Sequence, residues 1–96
     1  MIEYAPAARR DLQDIADYLD IESPVSTDPA LNAIAALLER LERREFEGPE
    51  HVLLRTRRVV RSWPLPPFRI YYQRRADVLY VLRIYHQARR PIARPR

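Results

Sequence analysis

Apolar residues recur at helical spacing through the first part of the chain, and this pattern predicts an amphipathic helix. The members of the stripe are Ala8, Leu12, Ile15, Ala16 and Leu19. Pro6 is expected to begin the helix, because a proline at the first helical position gives up an N–H that has no partner there. The residue before a proline avoids the helical region, so Ser23-Pro24 should end the helix near Ile21.

A second stripe with the same period follows after a short predicted loop over residues 22–27. Asp28 and Pro29 suit the cap and the first helical position. The inner positions of this stripe are Leu31, Ile34, Ala35, Leu38 and Leu41. The two stripes together predict a helical hairpin over residues 6–45.

The apolar period changes in the second half of the chain. Residues 52–54 and 57–63 indicate one or two short strands, and residues 2–4 could form another. Residues 68–74 and 78–86 are rich in β-branched and aromatic side chains and flank a polar break, which is typical of a β-hairpin.

A two-residue turn at Arg75-Ala76 would fix the register of this hairpin. In that register Arg69 and His86 point to the same face of the sheet, because side chains alternate between faces along each strand.

These elements predict an α+β fold and one domain over residues 1–96. The helical hairpin packs on one face of a small antiparallel sheet of three to four strands, formed by about residues 52–86. Residues 87–96 form a C-terminal tail, which is expected to lack regular structure from Pro91 onward.

The charges divide the chain into two unlike halves. Residues 1–50 carry five arginines and twelve acidic residues, whereas residues 51–96 carry twelve arginines and a single acid, Asp77. The chain has no lysine, and the planar fork of arginine suits bidentate contact with carboxylate or phosphate. The positive half is therefore expected to meet an acidic protein segment or nucleic acid.

Composition excludes several classes of site. Without cysteine there is no disulfide and no thiolate metal site, and no metal or cofactor site is predicted. The first residues lack the charged start and apolar stretch of a signal peptide. The longest apolar run, Val78–Leu82, is too short to span a bilayer. The expected location is the cytoplasm, without membrane contact.

Three segments carry a resemblance to a known family. They are residues 4–18 (YAPAARRDLQDIADY), residues 68–72 (FRIYY) and residues 82–90 (LRIYHQARR). In this order they resemble the first helix, the penultimate strand and the closing strand of the RelE/ParE toxin superfamily of bacterial toxin–antitoxin systems. The resemblance covers nearly the whole chain.

This resemblance implies two activities on one fold. ParE-like members resemble poisons of DNA gyrase with no chemistry of their own, and RelE- or YoeB-like members resemble metal-free ribonucleases that cut messenger RNA on the ribosome. The favoured function is a ParE-like toxin that binds gyrase and is neutralised by a ParD-like antitoxin in a hetero-oligomer. DNA would be reached only indirectly, through the antitoxin. A non-toxic, basic nucleic-acid-binding module is an alternative of another class.

For the ParE-like function, two sets of contact residues are expected. The target-binding set comprises Arg61, Trp63, Arg83, Arg89 and Arg90. The antitoxin is expected to fill a groove between the helical hairpin and the sheet, against Leu12, Ile15, Leu19, Leu38, Arg69 and Tyr71.

For the ribonuclease alternative, the resemblance assigns three catalytic residues. Glu50 matches the base, Arg69 the cation at the phosphate and His86 the acid for the leaving oxygen. The absence of lysine departs from the RelE-like active centre, so a protein without catalytic activity is favoured. Structural roles are the alternatives: an ion pair of Arg69 with a helix aspartate, and a hydrogen bond of His86 at the strand end.

Overall fold

The computed structural model describes residues 1–22 and 27–96, and the side chains of residues 1–18 and 29–96. In chain order the elements are β1 Ile2–Tyr4, α1 Pro6–Glu22, α2 Thr27–Glu42, β2 Glu50–Leu53, β3 Val59–Leu65, β4 Phe68–Arg75, β5 Val78–His86 and β6 Ala93–Pro95. The two predicted helices are confirmed, but α2 begins at Thr27, so the prediction of Asp28 as the cap and Pro29 as the first helical residue is wrong. Residues 23–26 of the predicted loop and the side chains of Leu19 and Asp28 lie outside the described residues.

The sheet has six strands in the order β1-β5-β4-β3-β2-β6. β1 runs parallel to β5, and the other neighbours are antiparallel. The prediction of a three- to four-stranded antiparallel sheet is therefore wrong in strand number and in type. The edge strands β1 and β6 contain three residues each. β1 confirms the possible strand at residues 2–4, whereas β6 is too short to produce a clear period in the sequence.

The C-terminal tail is part of the sheet, so the prediction of an unstructured tail from Pro91 onward is wrong. β6 pairs with β2, on the far side of the sheet from β5. The connecting segment 87–92 must therefore cross β4 and β3. It crosses on the face opposite the helices, here called the outer face, where the Tyr85 hydroxyl donates to the Arg90 carbonyl at 2.6 Å. At its end, the Leu54 N–H donates to the Ile92 carbonyl at 2.9 Å.

The hydrophobic core lies between the two helices and the other face of the sheet. α2 contributes Ile34, Leu37, Leu38 and Leu41, and the strands contribute Ile70, Tyr72, Leu79, Val81 and Ile84. Each of these side chains is less than a tenth exposed. Burying one such aliphatic side chain stabilises the fold by about 1.5–3 kcal/mol.

The register of β4 and β5 differs from the predicted one. The turn falls at Ala76-Asp77, one residue later than expected, and a β-bulge interrupts the pairing next to Tyr71 and Tyr72. His86 consequently pairs with Phe68, and Arg69 pairs with Tyr85. Because directly paired residues share a face, the prediction that Arg69 and His86 lie on the same face is wrong.

Candidate functional site

Asp11 is a buried carboxylate at the junction of α1 and β5. It is 8% exposed and accepts two hydrogen bonds from Arg83, at 2.8 and 3.0 Å, and one from the Ile84 N–H at 2.9 Å. β1 pairs with β5 only as far as Val81, so Asp11 supplies the acceptor that a neighbouring strand would otherwise give to Ile84. Donating these hydrogen bonds to Asp11 raises the pKa of the Arg83 guanidinium. The helix aspartate thus pairs with Arg83, and not with Arg69.

An open groove lies beside this junction, between α1 and the ends of β4 and β5. Its volume is about 540 Å³, and its apolar lining includes Ile15, Tyr18, Phe68 and Ile84. Tyr18 is 63% exposed, which is high for a large aromatic side chain. We call this site the α1 groove.

The predicted antitoxin contacts fall in three different places. Ile15 lines the α1 groove, and Leu12 packs half-buried against the core. Leu38 is 1% exposed and belongs to the core itself. Arg69 and Tyr71 lie on β4, where Tyr71 pairs with Ser62 on the outer face. The five of these six residues whose side chains the structure describes therefore do not form one surface.

The outer face carries a polar network that sequence reasoning did not identify. Ser62 is fully buried, and its hydroxyl accepts a hydrogen bond from Arg69 Nη1 at 2.7 Å and lies 3.0 Å from His51 Nδ1. The His51 and Tyr71 rings are perpendicular with their centroids 6.0 Å apart, and burial raises the pKa of the Tyr71 hydroxyl. The alternation of side chains along β3 could have placed Ser62 on this face. Its three partners, His51, Arg69 and Tyr71, lie on β2 and β4, and the sequence alone does not show that these strands bring them to Ser62.

A second unpredicted network fastens the end of α2 to the sheet. The Tyr72 hydroxyl donates to Glu47 at 2.6 Å and accepts from the Gly48 N–H at 2.8 Å, and burial raises the pKa of Tyr72 to about 12. Arg74 binds Glu47 at 2.9 Å and the Leu41 carbonyl at 2.6 Å. Burial alone would raise the pKa of Glu47, but the hydrogen bonds from Arg74 and Tyr72 outweigh it and lower that pKa.

The three candidate catalytic residues of the ribonuclease alternative do not converge. Glu50 begins β2 and forms an ion pair with Arg96 at 2.9 Å. Arg69 belongs to the outer-face network, whereas His86 lines the α1 groove on the other face. A base, a phosphate-binding cation and an acid have to surround one phosphate, and this arrangement does not bring them together.

His86 has structural contacts at the end of β5. Its ring stands edge-on to Phe68 with the centroids 5.5 Å apart, and its Nδ1 accepts the Ala88 N–H at 3.1 Å. The second contact closes the turn that follows the strand.

The predicted target-binding residues divide into an internal and an exposed group. Arg61 donates to the Gly48 carbonyl at 2.8 Å, and Trp63 packs on Phe46 with the ring centroids 4.3 Å apart. Arg83 is engaged by Asp11, as described above. Arg89 and Arg90 follow β5 and are exposed.

Residues 1–22 and 27–96 contain neither a membrane-spanning helix nor a cluster of metal ligands. No helix there is long and apolar enough to cross a membrane. No group of three or more histidine, aspartate or glutamate side chains is placed to hold a metal ion.

Comparisons with known proteins agree with this fold. The family described as ParE toxin of type II toxin-antitoxin system, parDE, matches residues 2–91. No curated protein sequence matches the chain significantly. The fold is similar to a solved structure of the chromosomal ParDE TA system from P. aeruginosa. The TM-score is 0.69 at 20% sequence identity, and the match covers 88% of this chain and 92% of that chain. With its family match over almost the full length, the chain belongs to the ParE toxin family of type II toxin–antitoxin systems.

Proposed function

We propose that the protein is a cytoplasmic toxin that poisons DNA gyrase by binding it, without catalytic chemistry of its own. The observation that carries this proposal is the register of β4 and β5, which places Arg69 and His86 on opposite faces of the sheet. The fold alone does not decide between a gyrase poison and a ribosomal ribonuclease, because related folds carry different activities. The separation of the candidate catalytic residues supports the first.

The gyrase contact is assigned to Arg89 and Arg90. Of the five predicted target-binding residues, these two are exposed and lie in the turn after β5. Arg61, Trp63 and Arg83 support the fold through their contacts with Gly48, Phe46 and Asp11. Exposed arginines steer an encounter with a negatively charged partner and add charge-assisted hydrogen bonds once they are bound.

Replacing Arg89 and Arg90 together by glutamine should weaken gyrase binding by about tenfold or more and reduce growth arrest in parallel, because two cationic contacts are lost. Binding of the purified protein to immobilised gyrase measures this directly. The matched control replaces Arg9 and Arg10, which are exposed on α1, by glutamine. Equal weakening in both variants would show that net charge, and not this turn, governs the interaction.

The α1 groove is assigned to a ParD-like antitoxin, with which the toxin forms a hetero-oligomer. The groove is lined by apolar side chains, and Asp14 and Arg89 contribute charges of opposite sign. This suits an amphipathic segment whose apolar face lies in the groove and whose polar residues meet the charges. Arg89 would then touch both partners, so bound antitoxin would block the gyrase contact. DNA would be contacted through the antitoxin only.

Replacing Tyr18 by alanine should weaken antitoxin binding by about tenfold or more, since exposed aromatic anchors dominate many interfaces. The fold should be unaffected, because Tyr18 is 63% exposed. Titration calorimetry with a ParD-like antitoxin gives the affinity. The control is Asp17→Ala, at the exposed neighbouring position of α1. An unchanged affinity for the Tyr18 variant would place the antitoxin elsewhere.

A further inference from the structure

One end of the sheet concentrates arginines that form no ion pair with any acid the structure describes. The β2–β3 turn and the β4–β5 turn meet at this end, and β6 begins beside them. The arginines there are Arg55, Arg57, Arg58, Arg75 and Arg94. We call this surface, together with Leu54 and Val59, the basic end.

Where these arginines donate side-chain hydrogen bonds, the acceptors are neutral groups. Among the described residues, none of the five takes part in an ion pair. Arg75 donates to the Gln73 side chain at 3.0 Å, and its guanidinium lies 4.2 Å from the centre of the Tyr80 ring. Extended by three residues beyond its outermost pair, Arg61 with Tyr72, the β3–β4 register brings Arg58 opposite Arg75. Like charges directly opposite each other destabilise a sheet, so an anionic partner would relieve this repulsion.

The acidic residues near this end do not neutralise its arginines. Glu47 and Glu50 line a cavity of about 600 Å³ together with Arg58 and Arg75. Glu47 is paired with Arg74 at 2.9 Å, and Glu50 is paired with Arg96 at the same distance. Asp77, in the β4–β5 turn, is the one acid in the second half of the chain. The basic end therefore keeps a net positive charge.

The basic end also exposes apolar surface between its arginines. Leu54 is 50% exposed and Val59 is 38% exposed. A second cavity, of about 500 Å³, is lined by Val52, Leu53, Leu54, Arg57 and Arg94. An exposed apolar patch with a charged rim is typical of a protein-binding site.

The β2–β3 turn that carries this surface is ordered by backbone hydrogen bonds. The Leu53 N–H donates to the Arg58 carbonyl at 2.9 Å, and the Arg57 N–H donates to the Leu53 carbonyl at 2.8 Å. The arginines are therefore displayed on a preformed turn, which lowers the entropy cost of binding.

We propose that the basic end binds an acidic protein segment that carries an apolar residue. The carboxylates pair with Arg57, Arg58 and Arg94, and the apolar residue contacts Leu54 and Val59. Phosphate contacts alone would need the arginines but not the exposed apolar side chains, so a protein segment fits this surface better than a nucleic acid does. The site is separate from the α1 groove and from Arg89 and Arg90, and it does not depend on gyrase being the target.

A binding assay with defined probes tests this proposal. The probes are a fluorescein-labelled acidic peptide with one central leucine, the same peptide with serine in place of the leucine, and a labelled DNA duplex. Fluorescence anisotropy gives the affinity of the folded, full-length protein for each probe. We expect the leucine peptide to bind about tenfold more tightly than the serine peptide, because only the former uses the apolar surface.

The triple variant Arg57→Asn, Arg58→Gln, Arg94→Gln should bind the leucine peptide about tenfold or more weakly. Asparagine is chosen at position 57 because Arg57 has a φ of 61°, a conformation that asparagine tolerates. The control variant carries Arg9→Gln, Arg10→Gln and Arg43→Gln at exposed positions, which removes the same charge elsewhere, and it should keep full affinity. Equal binding of both peptides, tighter binding of the DNA duplex, or equal losses in both variants would each overturn the proposal.

Discussion

Replacing Asp11 by alanine should lower the free energy of unfolding by about 3–5 kcal/mol, the usual cost of breaking a buried ion pair from one side. The variant leaves the Arg83 guanidinium without its bidentate partner and the Ile84 N–H without an acceptor. The Arg83 side chain is 29% exposed, so water can replace some of the hydrogen bonds that the guanidinium loses. Water can do little for the buried Ile84 N–H. We therefore expect the lower half of this range.

Urea denaturation followed by circular dichroism measures the change. The control is Asp14→Ala, an exposed aspartate one turn further along α1, which should shift the unfolding free energy by no more than about 0.5 kcal/mol. If Asp11→Ala does not fold, Asp11→Asn retains one acceptor oxygen and should show an intermediate loss. Asp11 and Asp14 variants of equal stability would refute the anchoring role of Asp11.

Replacing Gly48 by alanine should destabilise the fold by at least about 3 kcal/mol, which is severe for one added methyl group. A Cβ at this position would lie 1.8 Å from the Ser62 carbonyl oxygen and 2.7 Å from the Ser62 carbonyl carbon. Both are backbone atoms of a paired strand, so the backbone itself would have to move. That movement would also break the hydrogen bond from the Gly48 N–H to Tyr72.

The neighbouring substitution Pro49→Ala is the control for Gly48→Ala. The Pro49 side chain is exposed, and its carbonyl, which accepts the Ser62 N–H at 3.1 Å, is kept in the variant. We expect a loss of about 1 kcal/mol or less, mainly through greater freedom of the unfolded chain. The same urea titration serves both variants. A Gly48→Ala protein that unfolds at the wild-type midpoint would contradict the close approach of Gly48 to Ser62.

The elements with a long period were predictable from the sequence, whereas of the three-residue strands β6 was missed and β1 was predicted only as a possible strand. α1 and α2 each repeat their apolar stripe over several turns, so their existence and approximate bounds follow from spacing. β1 and β6 contain three residues each and gain their strand geometry from pairing with β5 and β2. That pairing depends on where the chain returns in space, which local periodicity does not contain.

The candidate site was predictable only where it depends on helical spacing. Ile15 was expected beside a groove because it belongs to the α1 stripe, and it does line one. The partner of Asp11 was missed because this contact joins residues 72 positions apart and depends on how α1 packs on β5. The opposite faces of Arg69 and His86 were missed because the β-bulge beside Tyr71 and Tyr72 shifts the register of β5. The bulge has no sequence signal such as a glycine, and one inserted residue exchanges the faces of all residues beyond it.

The most direct test of the proposed function is a cleavage assay with purified toxin, DNA gyrase and supercoiled plasmid, in which linear DNA is measured after the gyrase has been denatured. We expect linear DNA to accumulate with the wild-type protein, to be suppressed by the antitoxin, and to fall with the Arg89 and Arg90 variant. No linear DNA at excess toxin, together with ribosome-dependent cleavage of messenger RNA that His86→Gln abolishes, would contradict the gyrase proposal and favour the ribonuclease.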